Sequence, residues 1–391
     1  MFVEIEPSRI KGRVKAPPSK SLGIRYVFLS LLTEVSLENL PESDDVRVAI
    51  NAIKSLKEGK EELYLGGSAT TLRMIIPVIL AMGRKVKLDG DETLRRRPLN
   101  ALRWLPGKFS SNSLPMTVEG SLGPETQIEG WESSQYISGL IYAYCLRGEG
   151  RIRVIPPISS RGYIFMTADV ISSIGGKVTI QGEEITVECR NLRKFEGSVP
   201  GDYALASFYA VGAVLTGGEV EITNLYAPPS YVGDHDVVRM VKEAGAESYV
   251  SENRWIVRDT GVRVPISVSI NDVPDLAPSL AALMAVIPGE SRIMDSERLR
   301  IKESDRISTI LNTLASFGIS GSYSAGTITV KGGEPRRGEV ECPKDHRIAM
   351  MAGDLALRVG GKIKSAECVN KSNPGYWSDL SALGGKIRIH E

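Results

Sequence analysis

The stretch VISSIGGKVTIQGEEITVE, residues 170–188, decides the fold. Val170, Ile171 and Ile174 are spaced as on one face of a helix, and Gly175 and Gly176 follow at once. KVTIQ and EITVE then alternate apolar and polar residues on either side of a short polar turn. A glycine closing a helix, followed by two half-buried strands, reads as a C-cap and a hairpin. The pattern recurs in MVKEAGAESYVSENRWIV (240–257) and LASFGISGSYSAGTITVKG (314–332), and LSALGGKIRIHE (380–391) stops midway through it. Repeats of roughly 60 residues or more are expected, which is an α/β (α+β) chain with mixed sheets. The paired strands are too close in sequence to be parallel neighbours joined by a crossover, so a doubly wound sheet is not expected. Turn residues cluster between two repeats in FEGSVPGDYA (195–204), where a domain boundary is expected.

At 391 residues the chain exceeds the size at which one core keeps growing, and two domains are expected. Apolar residues make up 42% and charged residues 24%, an ordinary globular balance. With 48 cations against 47 anions the net charge is +1. No global field points to nucleic acid or an anionic membrane, so any anion site must come from local clustering. Cys145, Cys189, Cys342 and Cys368 are scattered without a CxxC pair, and the three histidines are scattered too. This is no zinc pattern; a disulfide framework is not expected in so long a chain, and a reducing cytoplasm fits best. No apolar run approaches the roughly 18 residues of a membrane span. MFVEIEPSRIKGRVKAP, residues 1–17, alternates like a strand and resembles neither a signal nor a transit peptide.

Polar and charged residues gather just before amphipathic helices. PPSKSLGIR (17–25) sets Lys20 and Ser21 ahead of Ile24, Val27, Phe28, Leu31 and Leu32 at helical spacing, with Arg25 in the first turns. Cations at a helix start oppose the macrodipole and call for a compensating anion. GGSATTLR (66–73), SSQY (133–136), VPD (273–275), IKESDR (301–306) and KDHR (344–347) occupy the same kind of position, and Pro77 is expected to kink the second of these six helices. Exposed N–H groups at helix starts bind anions, and lysine and arginine strengthen the attraction. Lys20, Arg25, Arg73, Lys302, Arg306 and Arg347 therefore point to a highly anionic ligand, phosphate and carboxylate together. Each stretch alone has an ordinary structural reading: a solvated lysine, a glycine turn with an N-cap, a basic loop at RRRP (95–98), an N-cap at Asp275, a Glu303–Arg306 pair. Their weight comes from recurring at one position in successive repeats.

Taken in order, from PPSKS to NKSNPGY, these stretches resemble the 5-enolpyruvylshikimate-3-phosphate (EPSP) synthase family of enolpyruvyl transferases. LRIKESDR (299–306) is similar to that family's L-x-x-K-E-[ST]-[DN]-R, and DHRIAM (345–350) to its D-H-R-[ILM]-[AG]-M. The resemblance implies two lobes, each of three βαβαββ repeats, with helix N-termini facing an interlobe cleft that holds the active site. One lobe would comprise 1–15 plus 201–391 and the other 16–200. It also implies transfer of the enolpyruvyl group of phosphoenolpyruvate to the 5-hydroxyl of shikimate 3-phosphate, releasing phosphate through a tetrahedral intermediate, in the shikimate pathway to chorismate and the aromatic amino acids. By the same resemblance Lys20, Ser21, Arg25, Ser133, Ser134, Gln135, Ser160, Tyr163, Asp275 and Lys302 would hold shikimate 3-phosphate. Lys20, Ala69, Thr70, Arg73, Arg97, Gln135, Glu303, Arg306, Arg347 and Lys371 would hold phosphoenolpyruvate. Glu303 is the candidate acid/base at C3 of phosphoenolpyruvate and Asp275 at the hydroxyl. Lys20 is a further proton donor toward the leaving phosphate, and His346 orients its neighbours; the surrounding cations tune these groups. No cofactor and no metal are expected, nor nucleic acid or membrane as partner; the expectation is a cytoplasmic monomer.

The chain departs from the family at one loop. Where the family usually has N-[AS]-G-T, GGSATT puts Gly67 in the asparagine position and Ala69 in the glycine position. A methyl there crowds the ligand that approaches the backbone, which predicts a weakened response to the family's inhibitor, glyphosate, with activity retained. Ser68 is the candidate to replace the missing asparagine. Two alternatives stay open. The sister transferase acting on UDP-N-acetylglucosamine typically has a cysteine in the loop matching DETLRRRPLN (91–100), which has none here. A non-catalytic anion-binding protein on the same scaffold is favoured only by Ala69, and Lys20, Asp275, Glu303, Arg306 and Arg347 speak against it.

Overall fold

The computed structural model describes residues 1–391. The chain forms two compact units, Met1–Ser19 with Pro200–Glu391, and Lys20–Val199. The segments that leave and re-enter the first unit are tied to each other: the Ser19 amide donates to the Pro200 carbonyl at 2.7 Å and the Asp202 amide to the Pro17 carbonyl at 2.9 Å.

In the Lys20–Val199 unit, residues 170–188 complete one repeat. Helix Arg161–Ser173 runs into Gly175, whose φ of +91° suits glycine, and the strands Lys177–Gln181 and Glu184–Glu188 form an antiparallel hairpin with Val178 opposite Val187. The sheet is finished by Glu125–Glu129, parallel to Glu149–Ile155 across helix Ser134–Arg147, and Glu149–Ile155 pairs antiparallel with the hairpin. The order is thus β-α-β-α-β-β. Ile171, Ile174, Ile185 and Val187 bury against Ile152 and Val154 in the unit's core. A second sheet joins Glu62–Tyr64, Val86–Asp89, Met116–Gly120 and Gly107–Phe109 in the same order. The third carries only the parallel pair Val35–Glu38 and Phe195–Ser198, with no hairpin.

The other unit holds three four-stranded sheets of this kind. In one, strand Lys11–Lys15 is separated in sequence from its helix, Tyr203–Leu215, by the whole Lys20–Val199 unit, yet pairs in parallel with Glu219–Thr223. In another, the last strand, Lys386–His390, lacks a following partner and pairs antiparallel with Phe2–Glu6 instead. The pattern that stops midway at residue 391 is completed by the first residues of the chain.

The cysteines overturn the expectation of no disulfides, and with it the argument from cysteine usage for a reducing compartment: Cys145 is bonded to Cys189 and Cys342 to Cys368. Strand register brings them together. Glu188 lies opposite Glu149, so Cys189 follows the hairpin beside the end of helix Ser134–Arg147. Glu341 lies opposite Lys364 in parallel strands, so the chain beyond each strand starts side by side. Pro77 stands inside helix Ala69–Ala81, which continues past it. No helix is long and apolar enough to cross a membrane.

Candidate active site

Except at VPD, whose Asp275 lies in the 3-10 turn Pro274–Leu276, each of the six polar stretches comes at the first residues of a helix. Ala69, Ser134, Arg306 and His346 are first residues of Ala69–Ala81, Ser134–Arg147, Arg306–Ser316 and His346–Val359, with Ser68, Ser133, Asp305 and Asp345 as their caps.

In the Lys20–Val199 unit, Lys20 opens helix Lys20–Leu29, and its Nζ pairs with Asp45 at 2.8 Å. Asp45 sits in the first turn of helix Asp44–Lys57. The cation that the macrodipole opposes is thus held by a carboxylate from a neighbouring helix start. Arg25 is buried, and its Nε donates to Thr167 Oγ1 at 2.8 Å, Nη1 to the Ser21 carbonyl at 2.9 Å and Nη2 to Ser138 Oγ at 3.2 Å. The Tyr163 ring lies 5.5 Å from its guanidinium. Ser160, just before helix Arg161–Ser173, is buried in a left-handed conformation with φ +53°, uncommon for a residue with a side chain.

Helices Ala69–Ala81 and Ser134–Arg147 approach so closely that a Cβ on Gly139 would lie 2.5 Å from the Met74 carbonyl oxygen. Their first turns therefore share a network. Gln135 Nε2 donates to Thr70 Oγ1 at 2.8 Å, and Arg73 Nη1 donates to Gln135 Oε1 at 3.1 Å. Arg73 Nη2 reaches the Pro98 carbonyl at 3.2 Å, so it fixes the residue after Arg97. Glu132, which the sequence reading passed over, is buried beside Ser133 and accepts from the Ala101 amide at 2.7 Å, anchoring the same loop. Burial pushes its carboxyl up, against the pull of Arg73.

Ser68, the candidate to replace the missing asparagine, turns its hydroxyl to its own helix. It is fully buried, accepts from the Thr71 amide at 3.3 Å and donates to Thr71 Oγ1 at 2.9 Å. A Cβ on Gly67 would come 2.9 Å from Asp91 Oδ2, so the Asp91 carboxylate lies where a side chain at 67 would start.

In the unit Met1–Ser19 with Pro200–Glu391, Arg306 is the hub. It is fully buried and donates from Nε to Asp345 Oδ2 at 2.8 Å, from Nη2 to Asp345 Oδ1 at 3.2 Å and Glu303 Oε2 at 2.8 Å, and from Nη1 to Asp275 Oδ1 at 2.9 Å. Four of the five guanidinium N–H groups are engaged, and one on Nη1 is left. Asp275 does not cap a helix; its other oxygen lies 3.5 Å from Arg347 Nη2. Lys371, the last residue of the 3-10 turn Ala366–Lys371, lies 3.8 Å from Glu303 Oε1. His346 is buried at the start of its helix. Asp275, Glu303, Arg306, Arg347 and Lys371 are thus gathered in one charge network.

Burial alone would push the Asp275 carboxyl up, but Arg347, Lys302 and Arg306 together hold it well below the usual carboxylate range. Burial pushes the Lys302 ammonium down to about 7; Asp275 resists that shift, while Arg298 and Arg306 add to it. Burial would lower Arg306, but Asp345, Glu303 and Asp275 keep it firmly charged. Two members of this network went unnoticed in sequence. Asp345 is visible as the D of DHR, but its part as the buried partner of Arg306 needs the fold; Arg298, buried with Nη1 3.4 Å from the Asn271 carbonyl, has no local signal at all.

The chain matches the family model for EPSP synthase (3-phosphoshikimate 1-carboxyvinyltransferase) over residues 5–63 and 57–380. It is 49% identical over 407 residues to the 3-phosphoshikimate 1-carboxyvinyltransferase of Sulfurisphaera tokodaii, and 47% over 413 residues to that of Saccharolobus solfataricus, with 100% of both chains covered in each case. Among solved structures it resembles an EPSP synthase from Acinetobacter baumannii, with a TM-score of 0.77 at 22% identity and 100% of both chains covered. It also resembles the enolpyruvyl transferase NikO from Streptomyces tendae, with a TM-score of 0.76 at 16% identity over 99% of this chain and 98% of the other. At these identities the structural likeness carries the fold alone.

Proposed function

The chain belongs to the EPSP synthase family, and from that premise we propose how its own residues divide the work. The reaction is the family's: the enolpyruvyl group of phosphoenolpyruvate passes to the 5-hydroxyl of shikimate 3-phosphate, and phosphate leaves.

Shikimate 3-phosphate is held by Lys20, Ser21, Arg25, Ser133, Ser134, Gln135, Ser160, Tyr163, Asp275 and Lys302. Phosphoenolpyruvate is held by Lys20, Ala69, Thr70, Arg97, Gln135, Arg347 and Lys371, with the remaining Nη1 N–H of Arg306. Arg73 serves through Gln135 and the Pro98 carbonyl, which it holds. Glu303 protonates C3 of phosphoenolpyruvate, C2 becomes electrophilic, and the 5-hydroxyl adds while Asp275 takes its proton. Glu303 then removes a C3 proton as phosphate leaves with a proton from Lys20. In the unliganded enzyme Asp275 is a weak base because three cations surround it. Substrate phosphate and carboxylate offset those cations, which raises its basicity when the hydroxyl is in place. His346 orients the groups around it.

The observation that carries this reading is Arg306, fully buried and shared at 2.8–2.9 Å among Asp275, Glu303 and Asp345. Asp345 holds that guanidinium in place, while Asp275 and Glu303, partly exposed at 23% and 14%, stand among the cations as groups able to take and give protons. Both substrates are multiply charged and do not cross a bilayer unaided, so the proposed setting is the cytoplasm. One chain supplies every assigned residue, so the proposed working form is a monomer.

The test is phosphate release from shikimate 3-phosphate plus phosphoenolpyruvate, beside a Glu303→Gln variant and a reaction with UDP-N-acetylglucosamine. Release with shikimate 3-phosphate alone, lost in the variant, is the expected result. Equal release from the variant would remove Glu303 from the mechanism, and binding without turnover would leave an anion-binding protein.

A further inference from the structure

We infer that the Cys342–Cys368 disulfide positions the groups that receive phosphoenolpyruvate, an inference that rests on the assignment above. The bond joins two segments that each carry part of the site. Cys342 directly follows strand Gly338–Glu341 and stands three residues before Asp345. Cys368 lies within the 3-10 turn that ends at Lys371. Both sulfurs rest near the Asp345 backbone carbonyl oxygen, at 3.4 Å from Cys342 Sγ and 3.9 Å from Cys368 Sγ. From Asp345 the contacts run through Arg306 to Glu303 and from Glu303 to Lys371, three residues beyond Cys368. The disulfide closes that path into a ring.

Besides the bond, the Ala366 end of this turn is held by Trp377 Nε1 donating to the Ala366 carbonyl at 3.0 Å and by the buried Ala366 and Val369, while at its other end the Lys371 ammonium has a 3.8 Å ion pair to Glu303, with the lysine 20% and the glutamate 14% exposed. An ion pair at that separation fixes the Lys371 ammonium less tightly than a hydrogen bond of about 2.8–3.0 Å does. Groups that bind and orient a reacting substrate must be held to about 0.5 Å, and a displacement of about 1 Å can cost a factor of a hundred. The other disulfide provides a built-in contrast. Cys145–Cys189 ties the far end of helix Ser134–Arg147, about 2.8 turns from Gln135.

Reduction by dithiothreitol breaks one S–S bond. The dithiol gives up two electrons and two protons, leaving two cysteine thiols and a cyclic disulfide. The experiment is done in a Cys145→Ser/Cys189→Ser background, so that only one bond responds. Steady-state constants are measured oxidised, reduced and reoxidised, with a Cys342→Ser/Cys368→Ser variant alongside. The expected result is a KM for phosphoenolpyruvate raised about tenfold on reduction, with the KM for shikimate 3-phosphate moving less than about twofold, and recovery on reoxidation. The double variant matches the reduced enzyme. An unchanged KM for phosphoenolpyruvate alongside a lowered Tm overturns the inference and leaves the bond as a brace. Four free thiols in the unreduced, unfolded wild type overturn it outright. Absence of phosphate release even in the oxidised wild type instead overturns the functional assignment on which it rests.

Discussion

Asp345 grips Arg306 with both carboxylate oxygens, at 2.8 and 3.2 Å, and both side chains are wholly buried. The same aspartate caps the helix that begins with His346 and Arg347, accepting from the Arg347 amide at 3.2 Å. One side chain therefore fixes a guanidinium and a helix start together. Asp345→Ala removes the two-oxygen grip on a buried guanidinium and leaves it Glu303 and Asp275, so the cost is expected toward the lower end of the roughly 3–5 kcal/mol that breaking a buried ion pair takes. Urea unfolding is expected to show a destabilisation of that order, with turnover nearly abolished in whatever remains folded. Asp345→Asn, which keeps the cap and loses the charge, should recover part of the stability and little of the turnover.

Ala69 begins its helix beside Thr70 and Gln135. Ala69→Gly removes the methyl where the family carries glycine. The expected outcome is a lower KM for phosphoenolpyruvate and a lower Ki for glyphosate, with stability reduced by up to about 1 kcal/mol. Inhibition curves of the two proteins that superimpose would show that the methyl does not crowd the ligand.

Lys302, with its ammonium pushed down to about 7, is only partly protonated at neutral pH. An anionic substrate favours the charged form, so binding raises its pKa and takes up a proton. Shikimate 3-phosphate affinity should therefore be greatest below pH 7 and weaken as pH rises through the free enzyme's value, by at most about tenfold per unit. Calorimetry in buffers of different ionisation enthalpy reads the proton uptake directly. Lys302→Arg, charged throughout, should flatten the pH dependence; a slope that persists in that variant must come from another group.

Gly139 is where two helices meet, with space for no side chain: a Cβ would also lie 2.8 Å from the Met74 Cα. Gly139→Ala forces Ala69–Ala81 away from Ser134–Arg147, at an expected cost of about 1–3 kcal/mol. Because Gln135 and Arg73 bond across that seam, the KM for phosphoenolpyruvate should rise as well. A variant that loses stability with unaltered kinetics would uncouple the seam from the site.

Much of this was legible in sequence because it is local. The glycine at 175 and the alternation across 177–188 announce a helix and hairpin, and KESDR and DHR carry their charges within a few residues. What stayed hidden depends on register between distant strands. The disulfides follow from Glu188 standing opposite Glu149 and Glu341 opposite Lys364. The single parallel pair Val35–Glu38 with Phe195–Ser198 was concealed for the same reason. Asp91 lies against Gly67 because Gly66 and Asp91 are joined backbone to backbone at 2.8 Å, a contact no spacing rule foretells. Asp45 reads as an ordinary first-turn acid until its helix stands beside Lys20.

The placement of Lys11–Lys15 and Phe2–Glu6 has a consequence for the order in which the protein is made. Both strands emerge before the Lys20–Val199 unit, yet their partners, Glu219–Thr223, Gly361–Lys364 and Lys386–His390, emerge after it. The opening segment must stay unpaired while the Lys20–Val199 unit, whose strands all pair within itself, is synthesised and can fold. Phe2–Glu6 gains its second neighbour only when Lys386–His390 has left the ribosome. Pairings of such long sequence separation are slow, so the slow step of folding is expected to be the docking of this N-terminal arm. A chain that loses its first few residues should complete Lys20–Val199 normally and fail in the sheet that Phe2–Glu6 closes.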